Sequence, residues 1–170
     1  MKTYIKYLLL GLTLCACQSA IRYKAMPLET AIDKTGVIEN YSFDESRPKV
    51  VTYIADITYF SSWVRSTNID GVKEKIERYE DFEFLFYLGV QSQEELNKAI
   101  EMVERYNIEF PIYIDDQDKF RDRNIGDYKA PGIVTTILDP KNREYLCTVL
   151  ALKLGGFDEH MEAAIKEMNK

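Results

Sequence analysis

Short apolar runs alternate with amphipathic segments along this chain, and this alternation constrains the fold more than any other feature. The runs VVTYIA (50–55) and FEFLFYLGV (82–90) have the length and the β-branched or aromatic content of buried strands. Over 92–107, apolar side chains recur every three or four positions behind a Ser-x-x-Glu capping box, which predicts an amphipathic helix. Because strands joined by helices are normally parallel, we predict an α/β domain with a central mixed sheet flanked by helices.

The remaining segments complete this order. The spacing of Val72, Ile76 and Tyr79 predicts a helix in the later part of 58–80. The sequence Asp-Pro-Lys-Asn at 139–142 is typical of a tight turn, so a hairpin is predicted there. The other predicted elements are an edge strand at 37–43, a strand at 111–114, a brief helix at 119–124, strands at 133–138 and 144–152, and a closing helix at 157–168.

The first 16 residues are typical of a secretory signal peptide. Lys2 and Lys6 precede an apolar run that is too short to cross about 30 Å of hydrocarbon as a helix. The next sequence, Leu-Cys-Ala-Cys, ends at Cys17 and resembles the bacterial lipobox. This resemblance implies cleavage before Cys17, acylation of its thiol and amine by fatty acids such as palmitate, and a mature lipoprotein that begins there. Cys15 is the poorer candidate, because the bulky Leu14 precedes it.

The charge of the chain limits its partners. Of 22 Lys+Arg and 28 Asp+Glu, the segment 1–16 holds two lysines and no acid, so the mature charge is 20 − 28 = −8. This balance excludes a nucleic-acid surface. An acidic body does not adhere to anionic lipid, so we expect a membrane contact through the lipid at Cys17. In lipoproteins that this lipobox resembles, an Asp after the acylated Cys often signals retention in the inner membrane, so Gln18 at that position implies the outer membrane. No acidic run of the kind that sends some lipoproteins to the cell surface follows Cys17, so we expect the protein to face the periplasm. We therefore predict a signal peptide at 1–16, a lipidated tether at 17–34 and one domain at 35–170.

Metal and nucleotide sites find no support. Three Cys and one His do not supply a usual zinc site. The acidic cluster Asp115, Asp116 and Asp118 lacks the glycine and the distal Glu of an EF-hand, so we interpret it as a solvated strand end. Neither G-x-G-x-x-G nor a P-loop occurs. We predict no cofactor and no metal.

Four segments together resemble the thioredoxin-like superfamily, in particular its extracytoplasmic thiol–disulfide and peroxiredoxin-like branch. These segments are VVTYIAD (50–56), FPIYIDDQDKF (110–120), VTTILDPKNREYL (134–146) and the Gly-Gly-Phe start of the last helix at 155–157. The resemblance covers about 35–168 and extends to small lipoproteins of bacterial envelopes. It implies a thioredoxin-like fold with a redox site after the first central strand.

The redox pair that the resemblance implies is missing. In the family, a Cys-x-x-Cys begins the helix after that strand, where the helix dipole lowers the pKa of the attacking thiol. Here the pair falls on Tyr59 and Ser62, or on Phe60 and Trp63, with Ser61 between them, and none of these residues is a cysteine. Dithiol exchange needs a thiolate and a resolving thiol. The resemblance therefore does not carry the redox activity to this chain.

The second family feature, a cis-proline opposite the thiols, is also displaced. In the family it lies six residues before the Asp that ends the strand, which places Ile133 there. Ala130 and Pro131 lie earlier, and we predict a trans bond between them. Cys147 lies in a predicted strand, where a single cysteine is normally a small core residue. The alternative is a thiol-dependent oxidoreductase or peroxidase that uses Cys147 as its nucleophile.

Three aromatic residues occupy the place of the thiols. If Tyr59, Phe60 and Trp63 are exposed, they suit recognition of a peptide or a glycan; the alternative is that they pack onto the sheet. The main hypothesis is a membrane-anchored lipoprotein whose redox-inactive domain binds an envelope protein or peptide, or supports an envelope system. A hydrolase built on Ser62 and the acidic loop at 115–118 is a third possibility, although no G-x-S-x-G elbow surrounds Ser62.

Overall fold

The computed structural model describes residues 24–124, 132–141, 144–148 and 156–170. The predicted signal peptide and Cys17 lie outside these ranges. Among the described residues, no helix is both long and apolar enough to span a bilayer.

A mixed sheet of seven strands forms the centre of the described domain, in the order β2-β1-β5-β4-β3-β6-β7. The three central strands β3, β4 and β5 are parallel, and the strands on both sides pair antiparallel with them. The strands are β1 Thr30–Asp33, β2 Gly36–Glu39, β3 Lys49–Ile54, β4 Glu83–Gly89, β5 Ile112–Asp115, β6 Ile133–Leu138 and β7 Glu144–Thr148.

The helices lie unequally on the two faces of this sheet. They are α1 Ile57–Ser66, α2 Ile69–Arg78, α3 Gln93–Arg105, α4 Lys119–Asn124 and α5 Phe157–Met168. Side chains of α1, α2, α3 and α5 share one core cluster with Phe84 and Phe86 of β4. The neighbouring residues Leu85 and Tyr87 point to the other face, where α4 and residues 25–28 cover them. Burial on both faces explains why β3 and β4 are continuous apolar runs in the sequence.

Two predicted boundaries differ in the structure. The predicted strand at 37–43 ends early, because Asn40 adopts a positive φ of 55° and turns the chain away from β1. β1 itself lies within the segment 17–34 that was predicted as a tether, so the folded part begins before residue 35. A tight turn joins β1 to β2, with Gly36 at φ 114° and the Asp33 carboxylate accepting from the Thr35 N–H at 2.7 Å.

The helix predicted in the later part of 58–80 is α2, and a separate helix, α1, precedes it. Thr67 is extended, with φ −98° and ψ 135°, and separates α1 from α2. Each short helix buries its own apolar side chains in the core, such as Val64 of α1 and Val72 of α2. The break lets the connection between two neighbouring parallel strands change direction over the sheet.

Candidate functional site

The first turn of α1 lies at the carboxyl end of β3, where the resemblance places a redox pair. Asp56 is the N-cap of this helix, and its Oδ1 accepts hydrogen bonds from the backbone N–H groups of Thr58 at 2.7 Å and Tyr59 at 3.0 Å. These groups are the unpaired donors that give a helix N-terminus its positive character. A carboxylate of the chain itself therefore occupies the anion-binding end of α1.

Two of the three aromatic residues of this turn belong to the core. Phe60 is 0% exposed and Trp63 is 2% exposed. The Trp63 ring packs against Phe60, Phe86 and Phe110, with ring centroids 5.9, 5.8 and 6.4 Å apart. An exposed surface built from all three aromatic residues is therefore wrong, and the packing alternative is correct for Phe60 and Trp63.

Of the three aromatic residues of this turn, Tyr59 is the one that presents its ring to solvent, with 46% of its surface exposed. One side of the ring lies against Gly132, since a Cβ built on this glycine would collide with three atoms of the Tyr59 ring. Gly132 is fixed in turn, because its carbonyl accepts from the Ala55 N–H at 2.8 Å. The ring thus rests on backbone that is tied to the end of β3, and its other side is open.

The predicted proline loop is described only in part. Ala130 and Pro131 lie outside the described residues. The residues that the structure describes contain no cis peptide bond. Ile133 is the first residue of β6 and pairs with Ile54, the last residue of β3. The position that the resemblance gives to the proline is therefore an ordinary strand residue beside the start of α1.

The serines of the same turn show no catalytic partner. Ser62 is exposed and Ser61 is half-buried. In the part of the chain that the structure describes, no hydrogen bond links either hydroxyl to His160 or to a carboxylate. Ser62 contributes its backbone carbonyl to the Ser66 hydroxyl at 2.6 Å, which is a common contact within a helix.

Cys147 lies away from this turn. Its backbone is on β7, where it pairs with Thr136 of β6, and Thr136 pairs with Val51 of β3. Strands are about 4.8 Å apart and residues about 3.3 Å apart. The Cys147 backbone is therefore roughly 10 Å across the sheet and roughly 10 Å along it from Ile54, where β3 leads to α1.

The acidic cluster after β5 is built differently from the predicted solvated strand end. Asp115 is 1% exposed, and its carboxylate accepts from the backbone N–H groups of Phe120 at 3.1 Å and Arg121 at 3.0 Å. Burial raises the pKa of Asp115 above its ordinary value, and the two N–H groups oppose this shift. Asp116 is exposed and Asp118 is half-buried, so the solvated interpretation holds for Asp116 only. The described residues contain no group of three His, Cys, Asp or Glu arranged to hold a metal ion.

The side chain of Tyr53 is buried near Asp115, where β5 leads to α4. The Tyr53 ring stacks on Phe120 with centroids 5.4 Å apart, and its hydroxyl has no hydrogen-bond partner in the described structure. Burial, with Asp115 nearby, raises the pKa of Tyr53, so the phenol stays protonated. Neither the buried cap nor the buried phenol is visible in the sequence, because both depend on how α4 and residues 25–28 fold back over the sheet.

Known proteins resemble this chain in structure and not in sequence. No family model and no curated protein matches the sequence. A Chlorobium tepidum protein assigned to the thiol:disulfide interchange proteins of the DsbE type has a TM-score of 0.56 and 16% identity over 84% of this chain and 96% of that chain. The thioredoxin domain of a thiol-disulfide oxidoreductase from Bacteroides vulgatus has a TM-score of 0.54 and 16% identity over 84% and 99%. A secreted disulfide oxidoreductase of Mycobacterium tuberculosis has a TM-score of 0.52 and 10% identity over 80% and 94%.

At these identities the likeness establishes the fold. The chain has a thioredoxin-like α/β fold with a mixed sheet flanked by helices, which confirms the prediction from the sequence.

Proposed function

We propose that this protein is an envelope lipoprotein whose thioredoxin-like domain binds a protein or peptide partner and does not exchange disulfides. The acyl chains on Cys17 hold it at the outer membrane, facing the periplasm. The open side of the Tyr59 ring is the centre of its binding surface.

The composition of the α1 turn carries this proposal. The structural neighbours named above are disulfide oxidoreductases, and disulfide exchange needs an attacking thiolate and a second thiol. Cysteine occurs in this chain only at positions 15, 17 and 147. The turn holds Phe60 and Trp63 in the core instead, so both rings serve packing. The Asp56 carboxylate at the helix N-terminus also disfavours a second negative charge there.

The exposed ring of Tyr59 is the feature that supports binding of a partner. A half-exposed aromatic ring held against fixed backbone loses little conformational freedom when a partner covers it. Tyr59 and Val37 are the two large apolar side chains that the described residues leave exposed, at 46% and 53%. Val37 lies on the edge strand β2, which three strands separate from β3 and the α1 turn, so it is the control for an exposed apolar side chain elsewhere on the surface.

The proposal is tested by recovery of partners from envelope extracts. The full-length lipoprotein in detergent should recover one or more proteins that Tyr59→Ala loses and Val37→Ala keeps. The same protein should reduce insulin and consume peroxide at the background rate. Equal recovery by Tyr59→Ala and the unchanged protein would remove Tyr59 from the binding surface.

The thiol-dependent alternative rests on Cys147 alone. It predicts peroxide consumption or thiol exchange above background that Cys147→Ser abolishes. Any such activity would contradict the redox-inactive proposal, whatever the result of the partner recovery.

The anchor has its own test. Metabolic labelling with palmitate should mark the protein, and Cys17→Ala should lose the label while Cys15→Ala keeps it. Loss of the label in Cys15→Ala alone would move the acylated residue to position 15.

A further inference from the structure

The first described residues are fixed tightly to one face of the sheet, and we call residues 24–29 the strap. The Lys24 backbone N–H donates to Asn124 Oδ1 at 2.5 Å, and its carbonyl accepts from Asn124 Nδ2 at 3.2 Å. The Tyr87 hydroxyl accepts from the Met26 N–H at 3.2 Å and donates to the Met26 carbonyl at 2.7 Å. These bonds hold the strap on the face that also carries α4.

Apolar burial strengthens the same attachment. Ala25 and Leu28 of the strap are buried in the cluster that contains Tyr87 and Phe120. At the end of the strap, Glu29 forms an ion pair with Lys119 of α4 at 2.9 Å. The strap is therefore part of the folded domain as far as Lys24, and it does not act as a free linker.

Few residues remain between the strap and the proposed lipid. Cys17 and Lys24 are seven residues apart in the sequence. Whatever its conformation, a chain of that length spans at most about 25 Å. A domain of this size has a radius of gyration of about 15 Å, which corresponds to roughly 38 Å across and roughly 60 Å around half of its perimeter. The connection is too short to pass around the domain, so the face that carries the strap must remain the face nearest to Cys17.

The charges of that face agree with this orientation. The strap and residues 116–124 carry Lys24, Lys119, Arg121 and Arg123 against Glu29, Asp116, Asp118 and Asp122, so their net charge is 4 − 4 = 0. The mature chain has a net charge of 20 − 28 = −8. Tyr41 and Phe43 pack on the same face, and their segment 40–49 is also neutral, with Asp44 and Glu45 against Arg47 and Lys49. These segments therefore approach anionic headgroups without net repulsion.

We infer that the face formed by the strap and α4 is a lipid-facing surface, which lies against the headgroups of the membrane into which the acyl chains insert. The opposite face, with α1, α2, α3 and α5, is turned toward the aqueous space. This inference rests on the proposed acylation of Cys17.

The test compares two matched reporter positions on the acylated full-length lipoprotein. Arg123→Cys on α4 and Glu104→Cys on α3 replace exposed charged residues on opposite faces. Each variant carries Cys147→Ser so that a single thiol takes the fluorophore. The labelled protein is reconstituted into vesicles of phosphatidylethanolamine and phosphatidylglycerol that contain a headgroup-attached quencher. Quenching should be about twofold stronger or more at position 123, because the two faces are separated by about one domain diameter.

A longer connection provides the control. With 20 Gly/Ser residues inserted between Ala20 and Ile21, the connection spans up to about 90 Å and can pass around the domain. The difference between the two positions should then disappear. Equal quenching without the insertion, or stronger quenching at position 104, would overturn the orientation while the protein remains bound to vesicles. A protein without palmitate label that stays in solution would overturn the anchor, and the orientation with it.

Discussion

Two strand-to-helix junctions of this domain have the same local design and different surroundings. At the β3–α1 junction, Asp56 accepts two backbone N–H groups of the helix that follows, at 2.7 and 3.0 Å. At the β5–α4 junction, Asp115 does the same at 3.1 and 3.0 Å. Asp56 is half-buried, whereas Asp115 is almost completely buried. One hydrogen-bonding pattern thus serves an open junction and a sealed one.

The two junctions differ in how much of each one is exposed to solvent. The Asp115 carboxylate is closed off from solvent, although neighbouring residues of that junction such as Asp116 are exposed. Around Asp56, Phe60 and Trp63 close the core from below while Tyr59 stays on the outside. The two capping carboxylates therefore differ in accessibility, since Asp56 lies beside the exposed Tyr59 ring and Asp115 is buried.

The largest effect is expected from Trp63. Trp63→Ala removes a ring that contacts three other aromatic rings in the core, so the free energy of unfolding should fall by about 3–5 kcal/mol. Tyr59→Ala, four residues earlier on the same helix, should lower the free energy of unfolding far less, because the Tyr59 ring is half-exposed. Denaturant titration of the two variants checks this. Equal losses would contradict the assignment of Trp63 to the core and Tyr59 to the surface.

The next effect is expected from the sealed cap. Asp115→Ala leaves the buried N–H group of Phe120 and the partly buried N–H group of Arg121 without an acceptor, so the free energy of unfolding should fall by about 2–3 kcal/mol. Asp115→Asn keeps an acceptor oxygen and should recover part of this loss. The comparison is made by denaturant titration at neutral pH. An unchanged free energy of unfolding in Asp115→Ala would show that the buried cap does not stabilise α4.

The same carboxylate should give a pH dependence of known sign. Burial raises the pKa of Asp115 above 3.8 in the folded state, so the folded state holds a proton that the unfolded chain has released. The stability from this proton is complete below pH 3.8 and is lost as the pH rises through the folded pKa. Asp115→Asn does not titrate, so its free energy of unfolding relative to the unchanged protein should increase across this interval. Parallel curves for the two proteins would contradict a raised pKa.

The central sheet could be predicted from the sequence, since strands buried on both faces are recognisable apolar runs. VVTYIA and FEFLFYLGV became β3 and β4 for this reason. β1 was missed because its four residues carry little pattern of their own and its place is decided by long-range pairing with β5. The spacing of Val72, Ile76 and Tyr79 located α2, whereas the extent of α1 and its end at Thr67 were not predicted, because Phe60, Trp63 and Val64 form only a short apolar pattern.

The candidate site was less predictable for the same physical reason. The sequence shows that thiols are missing at 59–63, and it shows three aromatic residues there. It does not show which rings face the sheet, because this depends on how α1 rotates as it packs. The contact of Tyr59 with Gly132 joins residues that are 73 positions apart and depends on the pairing of β6 with β3.

A smaller effect is expected from the open cap. Asp56→Ala removes the acceptor of two N–H groups that water can replace, so the free energy of unfolding should fall by about 1 kcal/mol. Asp56→Asn should be close to the unchanged protein, because Asn is an equally good N-cap. Denaturant titration beside Asp115→Ala compares the two junctions directly. A loss at Asp56 as large as that at Asp115 would mean that the open junction is also sealed.

The smallest effect is expected from Gly132→Ala, whose effect on the free energy of unfolding should change sign when the Tyr59 ring is removed. Gly132 does not have a positive φ, so alanine fits its backbone, and the added Cβ meets only the Tyr59 ring among the nearest atoms. With Tyr59 present, Gly132→Ala should displace the ring and lower the free energy of unfolding by up to about 1 kcal/mol. In the Tyr59→Ala background, the same change should raise it by about 0.4–1 kcal/mol, because alanine restricts the unfolded chain. A double-mutant cycle measured by denaturant titration gives the coupling between the two positions. If Gly132→Ala has the same effect in both backgrounds, the ring does not rest on Gly132. The Tyr59 ring would then not be held in place for the proposed partner.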